Sequence, residues 1–173
     1  MVDLLDDVLT MSKSNAGKLD FKPQTIALRP FCDQIWDNFR EIAEKTHAIE
    51  FVYNCDATEV IFDSKLIQYI LVNLLSNAVK YSPTNGRVLF EVVRDHNDLV
   101  FRISDNGIGI PDKDQAKLFE PFHRAVNTKG IEGTGLGLSI VKSYVEVHNG
   151  VITFESKEGQ GTIFTISIPF VSA

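Results

Sequence analysis

The spacing of apolar residues changes along this chain, and that change restricts the fold more than any other feature. Between Ser64 and Tyr81, the residues Leu66, Ile67, Ile70, Leu71, Leu74, Leu75 and Ala78 recur every three to four positions, as in a helix buried on one face. Past the turn-forming run Ser82-Pro83-Thr84-Asn85-Gly86, the period drops to two over Arg87–Arg94 and Leu99–Ser104. The tight break Asp95-His96-Asn97-Asp98 separates these two runs, which together read as a hairpin. A helix with one apolar stripe and a hairpin with one apolar face bury those surfaces against each other.

The rest of the sequence repeats the alternation. Arg29–Lys45 carries Phe31, Ile35, Phe39 and Ile42 at helical spacing, with Pro30 in the first turn. A strand is expected at Phe21–Leu28, in an edge position because of Pro23, and two more near Ile49–Tyr53 and Val60–Phe62. Asp63 or Ser64 serves to cap the helix that follows. A short helix runs from Pro111 to about Phe119, and Pro121–Gly133 has no periodicity. Another helix spans Leu136–His148 and is stopped by Asn149-Gly150. Strands at Val151–Ser156 and Gly161–Pro169 close the chain around the turn Lys157-Glu158-Gly159-Gln160. At the other end, Leu4, Leu5, Val8, Leu9 and Met11 give Val2–Ala16 a helical stripe with little nearby to bury it, which reads as the tail of a longer element. The expected architecture is a two-layer α/β sandwich: a mixed β-sheet covered on one face by about three helices over residues 20–173, with residues 1–19 as an appendage.

The 173 residues suffice for one well-cored domain. A net charge of −6 argues against a protein that grips nucleic acid by its backbone, and 44% hydrophobic residues exclude disorder of the whole chain. No apolar run is long enough to span a bilayer, and the opening residues are acidic where a secretory signal is basic. Cys32 and Cys55 make neither a disulfide framework nor a zinc spacing. The expectation is a soluble domain from a reducing compartment.

Three segments carry residues that a core does not call for. Asn73, Asn77 and Lys80 follow one another at i, i+4 and i+7 beside the buried stripe of their helix. A buried amide without a partner costs roughly 1–3 kcal/mol, whereas an Asn carbonyl is a suitable hard ligand for Mg²⁺ and a lysine one turn away suits phosphate. Asp105-Asn106-Gly107-Ile108-Gly109-Ile110-Pro111 places a carboxylate at a strand end, followed by glycines that let backbone approach a flat ligand. Gly133-Thr134-Gly135-Leu136-Gly137-Leu138-Ser139 opens a helix with glycine-rich backbone, an arrangement that directs free N–H groups at an anion. Its spacing is neither the dinucleotide fingerprint nor a Walker loop.

Taken in order, these segments resemble the ATP-binding catalytic domain of sensor histidine kinases, within the superfamily of gyrase, heat-shock chaperone, histidine kinase and MutL, whose fold is the Bergerat ATP-binding fold. Asn73-Leu74-Leu75-Ser76-Asn77-Ala78-Val79-Lys80-Tyr81 is similar to its N box, and Asp105–Gly109 to its first glycine box. Leu118-Phe119-Glu120-Pro121-Phe122 is similar to its F box, Gly133–Gly137 to its second glycine box, and Gly161-Thr162 to its closing segment. The resemblance implies ATP and Mg²⁺ as cofactors. Asn77, assisted by Asn73, would coordinate the metal, and Lys80 and Arg124 would meet phosphate. Tyr81 would lie near adenine or ribose. Asp105 would accept from the adenine amino group, Gly109 would leave room for the base, and Thr162 would support Asp105 through water. Gly133, Gly135 and Gly137 would shape the phosphate end, and Gly107, Ile110, Phe122, Thr134, Leu136 and Leu138 would complete the nucleotide contacts. Pro121–Glu132 would be a mobile lid anchored by Phe119 and Phe122.

Hydrolytic members of the superfamily place a glutamate four residues before the metal-binding Asn, and here that position is Asn73. An amide cannot take a proton from water, so the resemblance favours phosphoryl transfer to a protein, with Glu120 as the remaining alternative base. Histidine kinases transfer to a His on a helical hairpin, usually within His-Glu/Asp-x-x-Arg/Asn-x-Pro, and none of His47, His96, His123 or His148 has that context. Residues 1–19 resemble the last turns of that hairpin, so the chain is expected to bind Mg-ATP without phosphorylating itself, and to be monomeric where the intact protein is a homodimer. The implied partners are the dimerisation hairpin and a response-regulator receiver domain, and the implied location is the cytoplasm, with any membrane anchor upstream. Two other readings share the motifs: a Ser/Thr kinase of the anti-sigma-factor type, and an interaction module that binds nucleotide without transfer. Trp36 and the phenylalanines read as core, His47, His96 and His123 as solvated, His148 as a partner of its helix's C-terminal dipole, and the cysteines as inert.

Overall fold

Pro23 brings no N–H to a ladder, and the first strand begins immediately after it. The computed structural model describes residues 8–12 and 19–170. Strand β1 (Gln24–Ala27) pairs antiparallel with β3 (Glu59–Phe62) in a separate two-stranded sheet. The expected strand at Phe21–Leu28 is therefore shorter at both ends, because Leu28 already opens helix α1 (Leu28–Ala43). Residues 8–12 are helical; the rest of the helix expected over Val2–Ala16 lies outside the described residues.

Helix α1 buries Leu28, Cys32, Ile35, Trp36 and Ala43 on one face and leads into β2 (Ala48–Asn54). Burial pushes the Cys32 thiol up to about 12, so it remains a protonated packing group. Helix α2 (Ser64–Tyr81) is capped by Asp63, whose carboxylate accepts from the N–H groups of Lys65 at 3.0 Å and Leu66 at 3.2 Å. The other oxygen of Asp63 accepts from the Lys22 N–H at 2.7 Å, tying the segment before β1 to the start of α2. Ile67, Ile70, Leu71, Leu74, Leu75 and Ala78 of α2 are at most 2% exposed, while Leu66 is only partly buried.

The main sheet adds β4 (Arg87–Asp95), β5 (Asp98–Asp105), β6 (Val151–Lys157) and β7 (Gly161–Pro169), in the order β2-β4-β5-β7-β6. It is mixed: β2 lies parallel to β4 because β3 and α2 supply the long crossover that a parallel pair needs, and the other pairs are antiparallel. Helices α1, α2 and α4 (Gly137–Val147) cover one side, giving the expected α/β sandwich. Aromatic rings fill the seam beneath α1, with Phe51 stacked on Phe90 at 5.0 Å and Trp36 5.4 Å from Phe51.

Between β5 and α4 lie a short helix α3 (Asp112–Gln115), where a longer one to Phe119 was expected, and a 3₁₀ turn at Val126–Thr128. Asn149, with φ of 55°, ends α4 as expected. His148 is buried, and its Nδ1 lies 2.6 Å from the Tyr144 carbonyl, so it donates there. Its Nε2 then accepts from the Asp63 N–H at 3.1 Å. Burial lowers its pKa, so His148 meets the helix end as a neutral ring rather than a cation. Among the described residues no helix is long and apolar enough to cross a membrane.

Candidate functional site

A cavity of about 710 Å³ opens between α2, the end of the main sheet, the segment after β5 and the start of α4. That size suits a ligand of nucleotide dimensions. Asn73, Asn77, Lys80 and Tyr81 face it from α2, with Asp105, Gly109, Ile110 and Thr162 on the sheet side. Arg124, Gly133, Thr134, Gly135, Gly137 and Leu138 close it from the third side. The three segments singled out in the sequence thus meet around one space.

The sheet side is built on Asp105. Register sets Asp105 at the end of β5 beside Thr162 at the start of β7. Asp105 Oδ1 accepts from the Gly107 N–H at 2.8 Å, and the backbone N–H groups of Gly107 and Thr162 both favour its ionised form. Burial nevertheless outweighs both donors and pushes the Asp105 pKa up to about 6. Thr162 faces Asp105 across the β5–β7 ladder, and its hydroxyl lies 2.8 Å from Ser156 Oγ. Gly107 sits beneath the wall rather than on it: a Cβ there would stand 2.4 Å from the Tyr81 carbonyl oxygen. Gly109 has φ of 63°, and a Cβ there would stand 2.0 Å from the Lys157 carbonyl.

The helix side carries the amides and the cation. Asn77 Nδ2 donates to Asn73 Oδ1 at 3.1 Å, which leaves the Asn77 carbonyl oxygen for another partner. Gly137 makes room for the Asn73 amide, since a Cβ there would stand 2.6 Å from Nδ2. Gly133 does the same for Lys80, whose Nζ would lie 2.8 Å from such a Cβ. Lys80 Nζ stands 5.0 Å above the Tyr81 ring and takes part in no ion pair among the described residues. Among the described residues no side chain caps the N-terminus of α4, so its first N–H groups are available to an anion. Among the described residues no three His, Cys, Asp or Glu side chains cluster to hold a metal. The donor set suits a cation such as Mg²⁺ that takes one amide oxygen and draws its remaining ligands from phosphate and water.

The segment from Pro121 to Glu132 differs from expectation in several places. Phe119 packs edge-on against Phe154 at 5.9 Å and serves as an anchor. Phe122 does not: with φ of 62° it turns outward, is 66% exposed and lies off the cavity wall. Leu136 is fully buried in the core, so its side chain does not reach the cavity. Arg124 lines the cavity, and its guanidinium donates to the carbonyls of Thr128, at 3.2 Å, and Ile131. His123 and Thr128 also line it, and neither was legible as a site residue. His123 is not solvated as expected: its Nε2 lies 3.6 Å from Asp114 Oδ1. Asp114, 6% exposed, also accepts from the Val126 N–H at 3.0 Å and so pins this segment to α3. Glu120 is exposed and lies off the wall, which leaves Asp105 as the one carboxylate among the described lining residues.

An acceptor set into the sheet side, with a cation, a free amide oxygen and open helix N–H groups opposite, suits a ligand with an amine-bearing flat head and an anionic tail. Comparison with known proteins agrees. Residues 62–172 match the family described as histidine kinase-, DNA gyrase B-, and HSP90-like ATPase. The sensor histidine kinase WalK of Bacillus subtilis is 38% identical over 98% of this chain, which spans 28% of that relative's length. The catalytic domain of histidine kinase ThkA superposes with a TM-score of 0.72 at 27% identity, covering 86% of this chain and 97% of that one. Full-length ShkA, solved in complex with AMPPNP, superposes with a TM-score of 0.82 at 25% identity over 99% of this chain and 36% of its own. The chain belongs to the histidine kinase-, DNA gyrase B-, and HSP90-like ATPase family, as an ATP-binding catalytic domain of the sensor histidine kinase type.

Proposed function

We propose that this domain binds Mg-ATP and donates its γ-phosphoryl group to a histidine on a helical hairpin outside the chain. One observation carries the reading: among the described lining residues Asp105, on the sheet side, is the single carboxylate, and Asn73 stands where a hydrolytic member carries glutamate. Among the described lining residues no carboxylate is left to activate water beside the phosphate groups, so the domain protects ATP until an imidazole arrives. The imidazole nitrogen lone pair forms the new P–N bond, the bond to the β,γ-bridging oxygen breaks, and ADP leaves. The imidazole then sheds the proton of its other nitrogen.

In this reading the Asp105 carboxylate accepts from the exocyclic amine of adenine, and Tyr81 lines the base or ribose. Lys80, Arg124 and the N–H groups that open α4 hold the phosphates; Gly133, Thr134, Gly135, Gly137 and Leu138 shape that end. Asn77, oriented by Asn73, holds Mg²⁺ through its free amide oxygen. The metal, when bound, neutralises charge on the phosphates during transfer. The relatives named as sensor histidine kinases support a second step, relay to a response-regulator receiver domain; in this reading the intact protein is a homodimer acting in the cytoplasm.

Calorimetric titration with Mg-ATP and ADP tests the first half, with Asn77→Ala and Asp105→Asn beside the wild type. Incubation with γ-labelled ATP and the hairpin of the intact protein tests the second. The expected product is an acid-labile, alkali-stable phosphate on the hairpin and none on the domain alone. Release of free phosphate without hairpin labelling, or an acid-stable phosphoprotein, would overturn the transfer to histidine.

A further inference from the structure

Ser156 lies on β6, outside the cavity wall, yet its hydroxyl is the node from which the Asp105 end of the cavity is held. Ser156 Oγ accepts from the Ile110 N–H at 2.9 Å, donates to the Gly161 carbonyl at 3.0 Å and lies 2.8 Å from Thr162 Oγ1. Gln115 braces the same strand from α3, its Nε2 donating to the carbonyls of Ile110 at 3.0 Å and Ser156 at 3.2 Å.

The protons in this cluster can be assigned. A hydroxyl has one hydrogen and two lone pairs. The Ile110 N–H can only donate and the Gly161 carbonyl can only accept, so the Ser156 hydrogen goes to Gly161 and one lone pair to Ile110. The Thr162 contact then falls to the second lone pair, and Thr162 is the donor. Were Ser156 to donate to Thr162 instead, its lone pairs would face the Gly161 carbonyl at 3.0 Å with no proton between them. With its hydrogen held by Ser156, Thr162 offers the cavity acceptor capacity only, and the neighbouring Asp105 carboxylate does the same.

We propose that Ser156 is a specificity-determining positioning residue: by holding the Thr162 hydroxyl hydrogen it fixes one polarity at the base end of the cavity and makes it select a 6-amino over a 6-oxo purine. A hydroxyl free to turn can donate or accept, and so tolerates either edge. One whose hydrogen is engaged can only accept, and two adjacent acceptors match an exocyclic amine and repel a carbonyl oxygen. The inference rests on the nucleotide reading above and adds to it a residue that touches no ligand.

The test is titration of the wild type and variants with Mg-ATP and Mg-ITP, which differ at the 6-position and in N1 protonation. The wild type prefers ATP. Ser156→Ala narrows the ATP-over-ITP ratio about five- to tenfold, as expected for the loss of one oriented hydrogen bond, and Ser156→Thr, which keeps the hydroxyl, preserves it. Thr162→Val narrows the ratio to a similar extent with Ser156 in place, and adding Ser156→Ala to it changes the ratio no further. This pair keeps the proposal testable if Ser156→Ala alone folds poorly. Equal weakening of ATP and ITP by Ser156→Ala, an unchanged ratio, or a Ser156 effect that persists in the Thr162→Val background would overturn the proposal. A folded wild type that binds neither nucleotide would remove the site reading and this inference with it, a failure distinct from an unchanged ratio in a protein that binds ATP.

Discussion

The Asn77 side-chain amide donates to Asn73 Oδ1 at 3.1 Å across one turn of α2, so one asparagine sets which end of the other faces the cavity. A rotated Asn77 amide would present N–H groups, which repel a cation. Asn77→Ala is therefore expected to abolish the Mg²⁺ dependence of ATP binding. Asn73→Ala leaves the oxygen in place but frees the amide to rotate, and should weaken Mg-ATP by about 1 kcal/mol, roughly fivefold. Titrations with and without EDTA separate the two. Equal Mg²⁺ dependence in wild type and Asn77→Ala would contradict the assignment.

Asp105 gives stability and affinity opposite signs. Burial raises its pKa from 3.8 to about 6 in the folded domain, so the fold holds that proton more tightly than the unfolded chain does. The resulting stability is full below pH 4 and is lost as pH rises through 6, leaving the nucleotide-free domain destabilised at pH 7 by on the order of 3 kcal/mol. Asp105→Asn keeps an oxygen for the Gly107 N–H but carries no charge. Its thermal midpoint at pH 7.5 should exceed that of the wild type, with less change between pH 4 and 6, while its affinity for ATP falls. Wild-type affinity should rise from pH 5 to 7 as the carboxylate ionises. A lower midpoint for Asp105→Asn at pH 7.5 would refute the burial argument.

How far each feature was legible depends on what enforces it. The amides of α2 stood out because they lie beside a stripe whose burial the spacing already required. The two glycine segments stood out because few alternative roles need that backbone. Sheet order was not legible: nothing local in Ala48–Asn54 says that it pairs with β4 rather than with β3, which joins β1 instead. Motif membership also says little about which way a side chain turns. Phe122 and Leu136 both lie within or beside motif segments, yet one turns outward on a positive φ and the other enters the core. His123 and Thr128 reach the cavity through a segment shaped by contacts to backbone, from Arg124 to two carbonyls and from Val126 to Asp114, which leave no periodic trace in the sequence.

The glycines separate structural from ligand-facing roles. At Gly133 the one close neighbour of a Cβ would be the Lys80 ammonium, at 2.8 Å, the far end of a flexible side chain, with the Tyr81 hydroxyl at an ordinary 3.9 Å. Gly133→Ala should thus keep wild-type stability to within about 0.5 kcal/mol while displacing Lys80 and weakening Mg-ATP several-fold. At Gly109 both a φ of 63° and the Lys157 carbonyl at 2.0 Å oppose a side chain. Gly109→Ala should cost about 2–4 kcal/mol of stability. Paired denaturation and binding measurements check both; a Gly133→Ala domain with normal affinity would remove Lys80 from the phosphate site.

Asp114 holds the segment that covers the cavity, since the Val126 N–H at 3.0 Å and His123 at 3.6 Å converge on one buried carboxylate. Asp114→Ala removes the carboxylate that accepts from the Val126 amide and leaves α3 without this tie to residues 123–126. Amide exchange over residues 122–131 should accelerate about tenfold, equivalent to about 1.4 kcal/mol of local opening, while the amides of β4, β5 and β7 keep their protection. Asp114→Asn retains an oxygen for Val126 and should change exchange much less. Because Arg124 reaches the cavity from within this segment, Asp114→Ala should also weaken ATP. Exchange that accelerates equally across the sheet would mean that Asp114 supports the fold as a whole and not this segment.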